Sequence, residues 1–179
     1  MRAYKVLVDG RSPFTRWRWP PATEGRPGAW VQTHGPIALC TNGIHACTAA
    51  QLPPWLGAEL WMVELDGEIV AADAAVVASR ARLLAPVRRW DNAARAEFMA
   101  DCAGRADAAV AQWPEGQPLL GSIQRLSAAG HVAAVGYWAA VIAGERAAGR
   151  RAGCDYDAAF SAERSLQAGW LRSELQLED

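Results

Sequence analysis

Along the first half of the chain apolar and polar positions alternate with a period of two, and along the second half they recur every three to four residues. The first pattern puts neighbouring side chains on opposite faces of a strand, and the second gathers them on one face of a helix. Residues 4–8 therefore predict a strand ending at the Asp9-Gly10 turn. Residues 15–19 predict a second, with Trp17 and Trp19 on one face and Arg16 and Arg18 on the other, and residues 29–33 predict a third. Residues 37–40 lead into a loop, and residues 46–52 predict about two helical turns stopped by Pro53-Pro54. Residues 59–65 alternate cleanly, with Leu60, Met62 and Glu64 on one face and Trp61, Val63 and Leu65 on the other. Asp66-Gly67 predicts a hairpin turn with residues 68–70 returning, and residues 75–78 and 80–84 add the strand that closes a small, largely antiparallel sheet.

At Trp90 the period changes. Asp91 or Asn92 predicts an N-cap for a helix through Ala111 or Trp113, carrying Ala94, Phe98, Cys102 and Ala106 on one stripe. Residues 114–118 break it, and further helices are predicted at about 119–128, 131–148 and 156–175. The expected fold class is α+β: a β-rich half over residues 1–89 and a group of about four helices over residues 90–179. These helices are so rich in alanine that they are expected to pack with the sheet as one compact unit rather than build a large core alone.

Composition narrows the picture. A chain of 179 residues with 51% hydrophobic and 21% charged residues can bury a real core. The nine tryptophans are spread along the whole length and read first as packing, with carbohydrate or base stacking as the alternative. A net charge of -1 gives no global field toward nucleic acid or an anionic membrane, so a small molecule or a protein is the expected partner. Lys5 is the one lysine among 18 basic residues, which with the alanine content suggests a G+C-rich bacterial genome. No apolar run reaches membrane-spanning length and the start has no signal-type apolar stretch, so the expected location is the cytoplasm, where four cysteines read as thiols or ligands.

The densest chemistry lies in Leu39-Cys40-Thr41-Asn42-Gly43-Ile44-His45-Ala46-Cys47. Cys40, His45 and Cys47 could hold zinc, although the spacing departs from the usual pattern and a fourth ligand would have to come from Cys102, His131 or Cys154 through the fold. If Cys47 opens a helix, its thiol is expected to be acidified and redox-sensitive. The simpler reading makes the two cysteines small buried hydrophobes and has His45 pack with one nitrogen bonded to backbone; alternatively His45 is a catalytic or ligand-binding group, with Trp17, Trp19 and Trp61 as candidate cofactor contacts. Ser12, Ser79 and Ser127 lack a nucleophile-elbow context, and no phosphate-binding glycine loop occurs. Arg80, Arg82, Arg88 and Arg89 could meet phosphate or simply keep a strand edge wet.

These residues carry two resemblances. Ala3-Tyr4-Lys5, Leu39-Cys40-x-x-Gly43-Ile44-His45-Ala46-Cys47, Leu60-Trp61-x-Val63-Glu64-Leu65-x-Gly67-Glu68 and Val77-Ala78-Ser79 resemble an uncharacterised family of small bacterial and phage proteins whose hallmark is L-C-x-x-G-[hydrophobic]-H-A-C. That resemblance covers about residues 3–85 and implies that Cys40, His45 and Cys47 act together. More distantly, the order of strand, loop, short helix and Leu-Trp-x-Val-Glu strand is similar to the split sheet of ADP-ribosyltransferases and RNA 2'-phosphotransferases. It implies an NAD-type cofactor, with Arg11, His45 and Glu64 or Glu68 in the catalytic parts, although the terminal Q/E-x-E motif of that family is absent. The first expectation is a ligand-binding or protein-interaction module with its pocket at His45; the alternatives are an NAD-using transferase and a zinc or redox site.

Overall fold

The computed structural model describes residues 1–150 and 155–178, so Cys154 lies outside the described residues. The chain is α+β and divides into two units, one of residues Met1–Arg88 joined by the tail from Leu177, the other of residues Arg89–Gln176.

The first unit holds five strands: β1 (Arg2–Leu7), β2 (Val31–Gln32), β3 (Ile44–Ala46), β4 (Glu59–Ala71) and β5 (Val76–Pro86). All pair antiparallel, in the order β1-β4-β5-β2, with β3 also on β5. β2 and β3 share one edge of the long β5, at Arg80–Ala81 and Val76–Ala78. Just past β3, Cys47 and Tyr4 exchange two backbone hydrogen bonds of 2.8 Å, so β1, β4, β5 and β3 close a hydrogen-bonded ring. Alternation then sorts side chains into an inside and an outside. Ala3, Leu7, Ile44, Ala46, Val63, Leu65, Val76, Ala78, Ala81 and Leu83 fill the inside together with Trp19.

Three local expectations are corrected. Asp66-Gly67 makes no hairpin: β4 runs straight through it, with a register shift between Asp66 and Ile69, and the chain reverses at Ala72–Ala75 instead. Gly67 has φ +75, an added Cβ would lie 2.3 Å from Ser79 Oγ, and the Glu68 N–H donates to that oxygen at 3.0 Å. A glycine-type bulge and a tight two-residue hairpin turn both place a residue at positive φ, so the dipeptide alone does not choose between them. Residues 15–19 form no strand, because Arg16 at φ +58 bends the chain, leaving one isolated bridge between Arg11 and Arg18. The helix expected over 46–52 shrinks to a 3-10 turn at Ala49–Gln51, the preceding residues being taken by β3.

The second unit contains α1 (Asn92–Val110), α2 (Gln117–Ala128), α3 (Val132–Arg150) and α4 (Tyr156–Leu175), with a 3-10 turn at Pro114–Gly116. The Asp91 carboxylate caps α1 by accepting from the Ala94 N–H at 2.9 Å, and Gln176 in the left-handed region ends α4. Phe98, Cys102, Ile123, Val135, Ile142 and Leu171 are buried in its core. No helix among the described residues is long and apolar enough to cross a membrane.

One polar network runs through that core. Arg105 forks onto Glu163, with Nε and Nη2 2.9 Å from its two oxygens, and also bonds Asp101. The buried Gln167 amide donates to Glu163 Oε1 at 2.9 Å and to the Gly136 carbonyl at 2.8 Å, and the Arg164 guanidinium donates to Gln167 Oε1 at 2.9 Å. Burial works against the Arg105 cation, but the hydrogen bonds it donates to Glu163 and Asp101 outweigh it and raise the pKa.

Candidate functional site

The Cys/His loop folds as a tight turn. Ala38 and Asn42 pair across it, with Ala38 N–H to Asn42 O at 2.8 Å, and the Asn42 amide donates to the carbonyls of His34 and Pro36 at 2.9 Å each. Cys40 sits at the tip at φ +63, exposed, and its N–H donates to His45 Nε2 at 3.1 Å. Gly43 at φ +134 lets the chain drop onto β5, where an added Cβ would lie 2.2 Å from Val77 Cγ1. His45 is half-buried on β3 opposite Val77, so the ring spends one nitrogen on holding the turn it follows. Nε2 accepting a main-chain proton places the proton of the neutral ring on Nδ1.

The expected three-residue metal site does not form. Among the described residues no three His, Cys, Asp or Glu side chains gather as a metal-binding group. Cys47 is buried while Cys40 is at the exposed tip. Nor is Cys47 acidified, since no true α-helix begins at it and burial pushes its thiol up to about 12, against the pull of nearby Lys5.

That lysine is the residue the sequence reading passed over. On β1 it alternates with Ala3 and Leu7, which face the interior, and across β4 it stands opposite Trp61. Its ammonium donates to the His45 carbonyl at 2.7 Å and lies 5.1 Å from the centre of the Trp19 ring. Among the described residues it makes no ion pair with a carboxylate. Burial lowers its pKa to about 8, with Cys47 opposing the change. Two signals pointed to it: it is the chain's single lysine, and it occupies an apolar phase of a strand.

A second surface lies on the loop between β1 and β2. Ser12 and Trp17 close it, with Ser12 N–H to Trp17 O at 2.9 Å, and the buried Trp19 donates its indole N–H to Ser12 Oγ at 2.9 Å. Trp17 stands edge-on to Trp19 at 5.3 Å, and Phe14 stands edge-on to Trp55 at 6.4 Å. The Trp55 indole is tied to the Ala74 carbonyl at 3.0 Å. Arg16 and Arg18 are exposed, and no Asp or Glu occurs from Arg11 to Thr23.

The residues expected from transferase architecture fall apart in space. The Arg11 guanidinium donates to the Arg16 carbonyl at 3.1 Å within its own loop, and Arg11 bridges Val8 at the far end of β1. Glu64 pairs with Arg2 and Arg82 in the sheet register; Arg82 reaches it at 2.7 Å. From Arg2 to Val8 is six residues along the strand, or about 20 Å, and from Arg82 to Val77, opposite His45, is five, or about 16 Å. Glu68 is exposed on the bulge. Of the three candidate cofactor tryptophans, Trp17 and Trp19 touch, while Trp61 packs on the interior and donates to Glu59 Oε2 at 2.9 Å. The basic run is spoken for as well: Arg80 pairs with Asp66 at 3.2 Å, Arg80 and Arg82 both cover the Trp30 ring at 4.2 and 4.5 Å, and Arg88 pairs with Glu24 at 3.2 Å. No family model, curated protein or solved structure matches the chain.

Proposed function

We propose that the β unit is an interaction module that captures an acidic segment of a partner protein through the loop carrying Phe14, Arg16, Trp17 and Arg18, with Trp55 beside it. The observation that carries this reading is the exposure of three large rings in one short region: Phe14 is 83% exposed, Trp17 43% and Trp55 39%. Aromatic and arginine side chains are the residues that anchor protein interfaces, and rings left in water beside cations gain most from a partner that brings apolar groups and carboxylates. The ring geometry favours a peptide over a nucleic-acid strand. Both pairs are close to perpendicular, at 85° and 84°, so they offer notches for side chains rather than a row of parallel plates for bases. The module reading of the sequence is kept; its centre moves from His45 to this loop.

The test is a tryptophan-fluorescence and calorimetric titration of the full chain with a synthetic peptide of glutamate and leucine and, in parallel, a short oligothymidylate. Binding of the peptide, weakened about tenfold or more in Phe14→Ala and in Trp17→Ala, supports the reading. Binding of the oligothymidylate alone, or peptide affinity unchanged in both variants, overturns it.

A further inference from the structure

The interior of the β unit holds a primary amine without a counter-ion, and this stands independently of the loop surface. A lysine ammonium has three N–H donors; Lys5 uses one on the His45 carbonyl at 2.7 Å, has no carboxylate in ion-pair range among the described residues, and has Trp19 beneath it. A strand position in phase with Ala3 and Leu7 is where an apolar side chain would cost nothing, so an ammonium there is held against its solvation. The half-buried side chain still reaches solvent.

We propose that Lys5 is a covalent site for a small aldehyde or ketone, the indoles of Trp19 and Trp61 selecting an apolar or aromatic carbonyl compound. The neutral Nζ attacks the carbonyl carbon, a C–N bond forms, and the amine proton passes to the carbonyl oxygen to give a carbinolamine. Loss of that oxygen as water, with a proton from solvent, leaves a protonated C=N bond, so amine, carbonyl compound and proton give protonated imine and water with no change of oxidation state. The protonated imine keeps one N–H, and the His45 carbonyl that held the ammonium is placed to accept it. Burial, by lowering the pKa to about 8, leaves far more free amine at neutral pH than an exposed lysine has.

The chain makes the experiment clean, because Lys5 and the Met1 α-amine are its only primary amines. The full chain at pH 7 is mixed with benzaldehyde and a mild borohydride, and the benzylated residue is mapped by peptide mass spectrometry. The expected result is an adduct at Lys5 forming at least tenfold faster than at the same lysine in the urea-unfolded chain, and absent from Lys5→Arg, whose circular dichroism matches the parent. Labelling confined to Met1, or labelling of Lys5 no faster folded than unfolded, overturns the proposal and leaves Lys5 as a tie between β1 and β3.

Discussion

Each unit buries a cation, and the two are treated in opposite ways. In the helical unit Arg105 meets a bidentate Glu163 and a second carboxylate on Asp101, while Gln167 fills the remaining acceptor of Glu163. In the β unit Lys5 meets one peptide carbonyl and an indole. The guanidinium is raised in pKa and locked as a cation; the amine is lowered toward neutrality. A partly buried charge gripped by two carboxylates is architecture, since its proton never leaves. A buried charge with one acceptor and no counter-ion retains chemistry, because its proton can be removed near physiological pH.

This contrast can be broken by substitution, and the largest effect is expected at Glu163. Glu163→Ala strands the Arg105 cation between α1 and α4 and is expected to cost about 3 kcal/mol in urea unfolding at pH 7, the lower end for breaking a buried pair because Asp101 remains. A loss below about 1 kcal/mol would show that the network carries no stability.

Lys5→Met should go the other way, gaining on the order of 2 kcal/mol at pH 7 by removing an unpaired buried cation. The sign of the pH dependence follows from linkage. The folded pKa of about 8 lies below the unfolded 10.5, so the unfolded chain binds more protons between those values and the Lys5 penalty, full below pH 8, is relieved as pH rises to 10.5. The thiols of Cys47 and Cys102, raised by burial from 9.0 to about 12, act oppositely and lower stability above pH 9. The measurement is therefore the difference in unfolding free energy between parent and Lys5→Met: it should narrow from pH 8 upward, and a pH-independent difference would sink the assignment.

The smallest effect is expected for a third cation in water. Arg88 is 76% exposed and Glu24 89%, so Arg88→Ala should change thermal stability by less than about 0.5 kcal/mol despite their 3.2 Å contact. A larger loss would mean that burial is not the variable separating Lys5 from Arg105.

Much of the architecture was legible in order along the chain. The period of apolar residues and a cap at Asp91 or Asn92 gave α1 to within one to three residues, and α4 falls on the expected 156–175. β5 and the first half of β4 were legible because β-branched and aromatic residues alternate. Two of the three local failures share a reason: Gly67 and Arg16 are at positive φ, and whether such a residue turns a chain or kinks it depends on the strand beside it, whereas the helix expected over 46–52 lost its first residues to strand pairing. At the site, the density of Cys40, His45 and Cys47 drew attention to the right loop, yet the His45 ring braces the turn while its carbonyl holds Lys5. Glu64, cast as a catalytic acid, is locked to Arg82 across the sheet, a register no spacing along the chain reveals.

By itself the sequence determined what is periodic: which residues share a face of a helix or strand, where caps and prolines stop each element, and that Lys5 alternates in step with Ala3 and Leu7. Only the tertiary structure decided which face is inside and who meets whom. Closure of β3 onto β1 brought the His45 carbonyl to the Lys5 amine from forty residues away, and helix packing brought Glu163 to Arg105 from fifty-eight. The reason is physical. Periodicity is a property of local backbone geometry, whereas solvation and charge pairing depend on neighbours that only the folded chain supplies.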